Sequence, residues 1–265
     1  MIDLHSHILP GVDDGVPTIG EALALAEEAV AAGTTHMAAT PHVRSDYPTA
    51  PETMESCVTD LRRRLGERGV DLEILTGGEI DIAMVGAMSH ETLGRFSLAG
   101  SGRYVLVEFP YTGWPLALEG AVSRLRALGM TALLAHPERN PAVQAQPELL
   151  APLVEAGVLV QVTGASLGGR LGHASRAAAR SLLKLGLVHV LASDAHGSGA
   201  DAAGLAMADA MVGDEALARY LTFDAPRAII VGEPVPAAPR VGGRRGFPRL
   251  LSRGGRPAAQ PELRE

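Results

Sequence analysis

Apolar positions along the chain fall into two alternating patterns. Short, mostly apolar runs recur at residues 2–4, 37–39, 72–75, 104–107, 131–135, 158–162 and 188–192. Each predicts a strand buried on both faces. Between them lie longer stretches with apolar residues at helical spacing, at 19–32, 51–68, 83–93, 116–128, 148–156, 175–185 and 201–220, the last with a break at Gly213. Gly33, Gly69, Gly129, Gly157 and Gly186 stand where several of these helices should stop, as expected for a left-handed closing residue. Residues 226–230 predict one more short turn. Strands alternating with helices predict a parallel sheet of seven βα units, and in such folds ligands collect at the carboxyl ends of the strands, whether the sheet is open or closed.

Six of the seven strand ends carry side chains that bind metal. His5 and His7 follow the first strand, His42 the second, Glu79 the third, Glu108 the fourth, His136 the fifth, and Asp194 with His196 the seventh; the sixth, ending near Val162-Thr163-Gly164, has none. Residues i and i+2 of an extended chain point the same way, so His5 and His7 can aim two imidazoles at one point. A single histidine in such a place is more often structural or solvated. Five of nine histidines sharing one end of the strands is better explained by a common metal site. Glu79 follows Gly77-Gly78, which lets backbone approach closely. Glu108 sits between apolar residues, where a carboxylate needs a cation. Asp13 and Asp14 lie in a glycine-bounded turn that needs no metal, and the residues alone do not choose between them. His36, His90, His173 and His189 lie away from the strand ends and are expected to be structural.

About nine nitrogen and oxygen ligands exceed what one ion takes, so two or three divalent ions are expected. No thiolate is among them, so zinc is possible but not demanded, and manganese or iron suits the set equally. Clustered ions acidify bound water and stabilise both oxygens of an in-line displacement. Arg139, three residues after His136, is the candidate phosphate ligand because its planar fork matches phosphate oxygens; a surface ion pair, for example with Glu138, is the plain alternative. His42 or His196 is the candidate proton donor.

Composition narrows this picture. The chain of 265 residues is 46% hydrophobic with a net charge of −7, which suits a globular core and argues against nucleic acid as partner. The lone cysteine, Cys57, forms no internal disulfide; with no signal peptide and no membrane-spanning run, a cytoplasmic protein is expected. Cys57 and Arg63 match the Cys-x5-Arg spacing of thiol-based tyrosine phosphatases, but the segment lacks a phosphate-wrapping glycine loop and has helical periodicity, so Cys57 reads as structural. Residues 234–265 hold seven arginines, six prolines and five glycines against Glu262 and Glu265. They predict a disordered basic tail after a domain spanning 1–233. Such a tail could touch an acidic membrane or a partner transiently, or simply remain solvated.

The segments His5-Ser6-His7-Ile8-Leu9-Pro10-Gly11-Val12-Asp13-Asp14-Gly15, Ala39-Thr40-Pro41-His42, Gly78-Glu79, Val107-Glu108, Ala135-His136-Pro137-Glu138-Arg139 and Ala192-Ser193-Asp194-Ala195-His196 resemble the PHP (polymerase and histidinol phosphatase) superfamily. Within it they are similar to the bacterial metal-dependent protein-tyrosine phosphatases of capsule and exopolysaccharide synthesis. The resemblance implies a distorted seven-stranded (β/α)7 barrel and three metals. One ion takes His5, His7, Glu79 and Asp194; a second shares Glu79 and takes Glu108 and His136; a third takes Asp14, His42 and His196. It implies hydrolysis of phosphotyrosine, with a tyrosine kinase of polysaccharide export as the protein partner. The alternatives are a small-molecule phosphomonoesterase of histidinol-phosphatase type and, in another class, a non-catalytic protein docking through its basic tail. Two positions depart from the family pattern. The arginine usual after the last Asp-x-His is missing from 197–201, leaving Arg139 alone or joined by Arg44 or Arg170. The aromatic residue usual after His-Pro-Glu-Arg is Asn140.

Overall fold

The computed structural model describes residues 1–239. In chain order, β1 (Ile2–Ser6) leads to α1 (Ile19–Ala31), β2 (His36–Ala39), β3 (His42–Val43), α2 (Pro51–Arg68), β4 (Glu73–Leu75), β5 (Glu79–Asp81), α3 (His90–Arg95) and β6 (Tyr104–Glu108). Then come α4 (Leu118–Ala127), β7 (Thr131–Ala135), α5 (Pro141–Ala145), α6 (Ala151–Glu155), β8 (Leu159–Thr163), α7 (Gly164–Gly168), α8 (His173–Leu185), β9 (Val190–Ala192), α9 (Gly204–Val212), α10 (Glu215–Arg219) and α11 (Ala225–Ile230). Strand pairing is parallel throughout these elements, in two sheets ordered β1-β2-β4 and β3-β5-β6-β7-β8-β9. A parallel bridge between Ser6 and Ala195 sets the end of β1 beside the segment that follows β9.

The second and third expected strands are each broken in two, a feature the apolar runs do not carry. Pro41 has no N–H to continue the ladder and separates β2 from β3. Gly77-Gly78 separates β4 from β5. A Cβ at Gly78 would lie 2.6 Å from Cδ1 of Phe96, so only glycine lets this backbone pass the ring. The break moves each chain from one sheet to the other: β2 pairs with β1, whereas β3 pairs with β5, and β5 with β6. It thereby delivers His42 and Glu79 opposite each other in register.

The strands alternate between two cores. Val105 and Val107 pack into the larger cluster, under the helices, while Tyr104 and Leu106 join a smaller one. That smaller cluster takes residues from β1, β2, β4, β6, β7, β8 and β9, among them Leu4, Ala38, Leu75, Leu106, Leu133, Leu159 and Val190. Both faces are therefore largely apolar, which is why the runs carry isolated polar residues rather than a regular alternation.

Helix ends follow local chemistry. Thr18 caps α1 by accepting from Glu21 N, and Gly69 closes α2 at φ 67°. The helix expected over 83–93 forms only as α3. Asp81 Oδ1 instead accepts Ala83 N in a turn, and Ser89 starts the helix by accepting from Thr92 N, the competition short polar side chains offer against helix. The helix expected over 148–156 splits into a 3-10 turn, Pro147–Leu150, and α6, because Pro152 lacks the N–H an uninterrupted helix needs. The break at Gly213 separates α9 from α10 as expected. Helix α7 has no periodic signal, being bounded by Gly164 and Gly168; a Cβ on Gly164 would lie 2.3 Å from Gly204 O, so glycine lets α7 meet α9.

Of the stretch expected as a tail, residues 234–239 are described. Val235 packs, partly buried, against both cores, and Tyr104 Oη donates to Glu233 O just before it (2.6 Å). The rest of that stretch, 240–265, lies outside the described residues. No helix among the described residues is long and apolar enough to cross a membrane.

Candidate metal centre

The expected ligands converge where the strands end. His5 Nε2 lies 3.2 Å from His7 Nε2, 3.3 Å from Glu79 Oε2 and 3.4 Å from Asp194 Oδ1; His7 Nε2 lies 3.5 Å from each of those oxygens. Two ligands held about 2.1 Å from a common ion lie about 3.0–3.4 Å apart across an octahedral or tetrahedral edge. These separations lie close to that spacing, and His5, His7 and Asp194, like His5, Glu79 and His136, lie within reach of one ion. Glu79 Oε1 is 2.8 Å from His136 Nε2, and its Oε2 is 3.0 Å from His42 Nδ1, which in turn is 3.8 Å from Glu108 Oε2. At the outer end Asp14 Oδ1 lies 3.4 Å from His42 Nε2 and 3.6 Å from His196 Nε2. His42 turns Nε2 toward Asp14 and Nδ1 toward Glu79 and Glu108, so it belongs to two groupings, one with His7, Asp14 and His196 and one with Glu79 and Glu108, whereas Glu79 and His136 group with His5.

Fixed tautomers make the case for a cation sharper. The backbone N of His136 can only donate, and it donates to Gln161 Oε1 (3.2 Å); the same oxygen lies 3.1 Å from His5 Nδ1, which must therefore carry the proton. His7 Nδ1 faces the Asp13 carboxylate at 2.7 Å and is likewise the donor. In their neutral forms both rings then aim bare Nε2 lone pairs at one point. A cation must occupy that region, either metal or protons. Glu79 Oε2 and His42 Nδ1 are also buried without a hydrogen-bond partner. Buried polar atoms that lack partners while facing one another fit a shared ion.

Electrostatics agree. Burial opposes charge on His5, but Glu79 and Asp194 outweigh it and push its pKa up to about 9. His7 is raised well above the ordinary value against burial by hydrogen bonds to Asp13, Asp194 and Glu79. Burial would raise the carboxyls of Glu79 and Asp194, yet His5 and its neighbours hold both below the usual range. Glu108 is raised, by burial and by the Glu79 charge. His196 is lowered by burial and by His7, so it stands neutral near pH 7 and suits a ligand better than a proton donor.

Asp13 and Asp14 separate cleanly. Asp13 lies behind the cluster: Oδ2 meets His7 Nδ1 and accepts His42 N (2.9 Å), and Oδ1 accepts Gly15 N (3.0 Å). Burial opposes its ionisation, but His7 brings its pKa down to about 2. Asp14 reaches into the cluster, its side chain 41% exposed where that of Glu79 is 0%. The Asp14–His196 end is thus the mouth of the site. His136 (φ 37°) and Asp194 (φ 54°) adopt the left-handed region, two of three non-glycine residues to do so among the described residues. Such backbone costs roughly 1–3 kcal/mol, and here it turns side chains inward at the ends of β7 and β9.

Arg139 reaches the cluster. Its Nη1 donates to Asp194 Oδ2 (3.0 Å), and its guanidinium sits 4.5 Å over the Tyr111 ring. It does not pair with Glu138, which is fully buried and accepts Thr163 N (3.0 Å) at the start of α7. Arg44 Nη1 donates to Glu108 Oε1 (3.0 Å), whereas Arg170 pairs with Asp201 (2.6 Å) on the exposed side. Cys57 sits half-buried on α2, its thiol pushed up by burial and by Asp60. His36, His90, His173 and His189 take no part in the cluster.

Sequence reasoning missed several contributors. Gln161 stands on the one strand without a ligand residue, and its signal was a polar residue inside an otherwise apolar run. Tyr111 stacks on His136 (5.4 Å, 11°) and Tyr47 on His42 (5.8 Å, 21°). Asn140, in the place of the usual aromatic, caps α5 through Oδ1 and donates through Nδ2 to Pro110 O and Gly113 O (2.6 Å each). It thereby fixes the loop carrying Tyr111. Gln161→Leu, which keeps size but removes the acceptor behind His5, is expected to weaken divalent-metal binding about 10- to 100-fold. Titration of the metal-free chain checks this, and an unchanged affinity would remove Gln161 from the site.

Fold and cluster define a class: a parallel α/β protein whose strand ends meet in a histidine–carboxylate set of the kind that holds divalent metals. More closely, the chain belongs to the CpsB/CapC family of capsular polysaccharide synthesis, whose model matches residues 1–230. The capsule-type resemblance read from the motifs agrees with this membership. The tyrosine-protein phosphatase YwqE of Bacillus subtilis (strain 168) is 35% identical over 198 residues, covering 74% of this chain and 77% of that protein. The tyrosine-protein phosphatase CpsB of Streptococcus agalactiae serotype V is 30% identical over 203 residues, covering 74% and 83%. A structure from work on YwqE of Bacillus subtilis and CpsB of Streptococcus pneumoniae, described as metal-dependent tyrosine phosphatases, superposes with a TM-score of 0.77 at 30% identity. It covers 89% of this chain and 96% of that one.

Proposed function

We propose that this chain is a metal-dependent protein-tyrosine phosphatase. The observation that carries the reading is the convergence of His5, His7, Glu79 and Asp194 within 3.2–3.5 Å of one another's histidine nitrogens, with the Arg139 guanidinium at the edge. Family membership and relatives named tyrosine-protein phosphatases support it. In this reading His5, His7, Glu79 and Asp194 hold one ion; Glu79, Glu108 and His136 a second; and Asp14, His42 and His196 a third. Two or three ions, manganese foremost, supply activated water and charge neutralisation at phosphorus when bound. Arg139 holds phosphoryl oxygens with the open edge of its fork. Asp13 and Gln161 fix the rings of His7 and His5. A tyrosyl leaving group has a pKa near 10 and departs with less help than an alkoxide, which suits a site where His196 stands neutral.

The seven strand segments around the smaller core read as a distorted (β/α)7 barrel, with the catalytic domain over 1–233. A cytoplasmic location and a tyrosine kinase of polysaccharide export as substrate follow from the family's part in capsule synthesis. The test is hydrolysis of a phosphotyrosyl peptide against an alkyl phosphomonoester, with manganese and with chelator. Metal-dependent preference for the peptide is expected, and Arg139→Ala should lower kcat/KM about 10- to 100-fold with metal content intact. Equal or better turnover of the alkyl ester would favour a small-molecule phosphatase, and no turnover of either would sink the enzymatic reading.

A further inference from the structure

Two arginines flank the cluster in matching settings. On one side Arg139 meets Asp194, lies over Tyr111, and Tyr111 stacks on His136. On the other Arg44 Nη1 meets Glu108 Oε1 at 3.0 Å, its guanidinium lies 5.2 Å over Tyr47, and Tyr47 stacks on His42. The second arm is built by a tight turn after β3. Arg44 N donates to Tyr47 O and Tyr47 N to Arg44 O (3.1 Å each), and Val43 bridges to Pro48. Arg44 and Tyr47 are thus cross-strand partners in fixed register. Asp46 Oδ1 lies 2.8 Å from Arg44 Nε. The carboxylate contacts of Arg44 run through Nε and Nη1, which leaves Nη2 as the remaining donor nitrogen. The side chain is only 21% exposed, so this donor is held in place at the edge of the site.

We propose that Arg44, seated on Tyr47, is a second phosphate-binding cation that grips the substrate's phosphoryl group from the side opposite Arg139. The inference rests on the phosphatase reading above and deepens it. A phosphomonoester dianion offers three terminal oxygens, and one planar fork engages two at most. The Arg139 fork can engage two of them and Arg44, through Nη2, the third. Arg170, tied to Asp201 on the surface, is not placed to share this work.

The experiment uses the manganese-loaded full chain and inorganic phosphate as probe. Phosphate affinity is measured calorimetrically, and also as competitive inhibition of phosphotyrosyl-peptide turnover, with metal content determined for each variant. Arg44→Ala is expected to weaken phosphate at least tenfold and to raise KM more than it lowers kcat, with metal content unchanged. Arg44→Lys should recover part of the loss, and Arg170→Ala should match the wild type. Phosphate affinity within twofold of wild type overturns the proposal. So does loss of bound metal in Arg44→Ala, which would make the residue a counter-charge for Glu108 alone. Should Arg44→Ala fail to fold, Arg44→Gln, which keeps the stem, carries the same expectation. Failure of the phosphatase reading would appear separately, as absent peptide turnover in the wild type, while the phosphate titration still decides the role of Arg44.

Discussion

Glu79→Gln is expected to cost the protein bound metal and to lower kcat/KM by a factor on the order of a thousand, equivalent to about 4 kcal/mol of transition-state stabilisation. Glu79 is the carboxylate that touches both halves of the proposed centre. Its Oε2 lies 3.0 Å from His42 Nδ1, 3.3 Å from His5 Nε2 and 3.5 Å from His7 Nε2, while Oε1 lies 2.8 Å from His136 Nε2. Glutamine has nearly the same volume, so the packing of Phe96 and Val43 around neighbouring Gly78 is retained. What changes is charge, and one of the two faces now presents N–H groups that cannot bind a cation. Glu138→Gln is the matched control. That carboxyl is equally buried and is raised by burial, with His136 lowering it, but it accepts from Thr163 N rather than meeting a histidine ring nitrogen, so activity within a few-fold of wild type is expected. Metal analysis alongside turnover of a phosphotyrosyl peptide checks both, and a Glu79→Gln protein that keeps its metal and its activity would remove Glu79 from the proposed centre.

The convergence of the candidate ligands was legible in the sequence because strand ends are legible. Fully buried strands announce themselves as apolar runs, and whatever follows them lies at one end of the sheet. His5, His7, His42, Glu79, Glu108, His136, Asp194 and His196 could be grouped without knowing how the strands pair. Less legible was anything set by a side chain's second partner. Asp13 and Asp14 differ only in which way a short turn aims them, and that is fixed by Asp13 accepting Gly15 N and His42 N. The same limit hid Tyr47 and Tyr111, whose roles depend on rings contributed by His42 and His136 from elsewhere in the chain. In the fold, the broken strands escaped notice because Pro41 and Gly77-Gly78 read as loop punctuation, whereas the chain resumes pairing directly after them in the other sheet. The shortening of the helix expected over 83–93 has the opposite origin. Its apolar spacing is real, with Val85 and Leu93 buried, but Asp81 and Ser89 supply local hydrogen bonds that end one turn and begin another.

Stripping metal with a chelator is expected to abolish turnover, and the stability regained on reloading should grow as pH rises from about 6.5 to about 9. In the metal-free chain the His5 pKa stands at about 9 against an ordinary value of 6.5. A histidine whose pKa is raised on folding contributes stability that is fully present below the unfolded value and lost as pH rises through the folded one. The metal-free chain should therefore lose stability across that window. Metal binding needs His5 Nε2 unprotonated, so over the same window the competing proton leaves and apparent affinity strengthens, by about tenfold per pH unit for each proton displaced. His7, also raised well above its ordinary value, adds to the same direction. Glu79 and Asp194, held below the usual carboxylate range by the histidines, are already ionised throughout and contribute no opposing slope. The two trends act together on the difference between the metal-loaded and metal-free melting temperatures. That difference should widen from pH 6 through 7.5 to 9, read by thermal melts of the same protein with manganese and with chelator. A gap that stays constant or narrows with rising pH would show that metal and protons do not compete for the histidine pair at the end of β1.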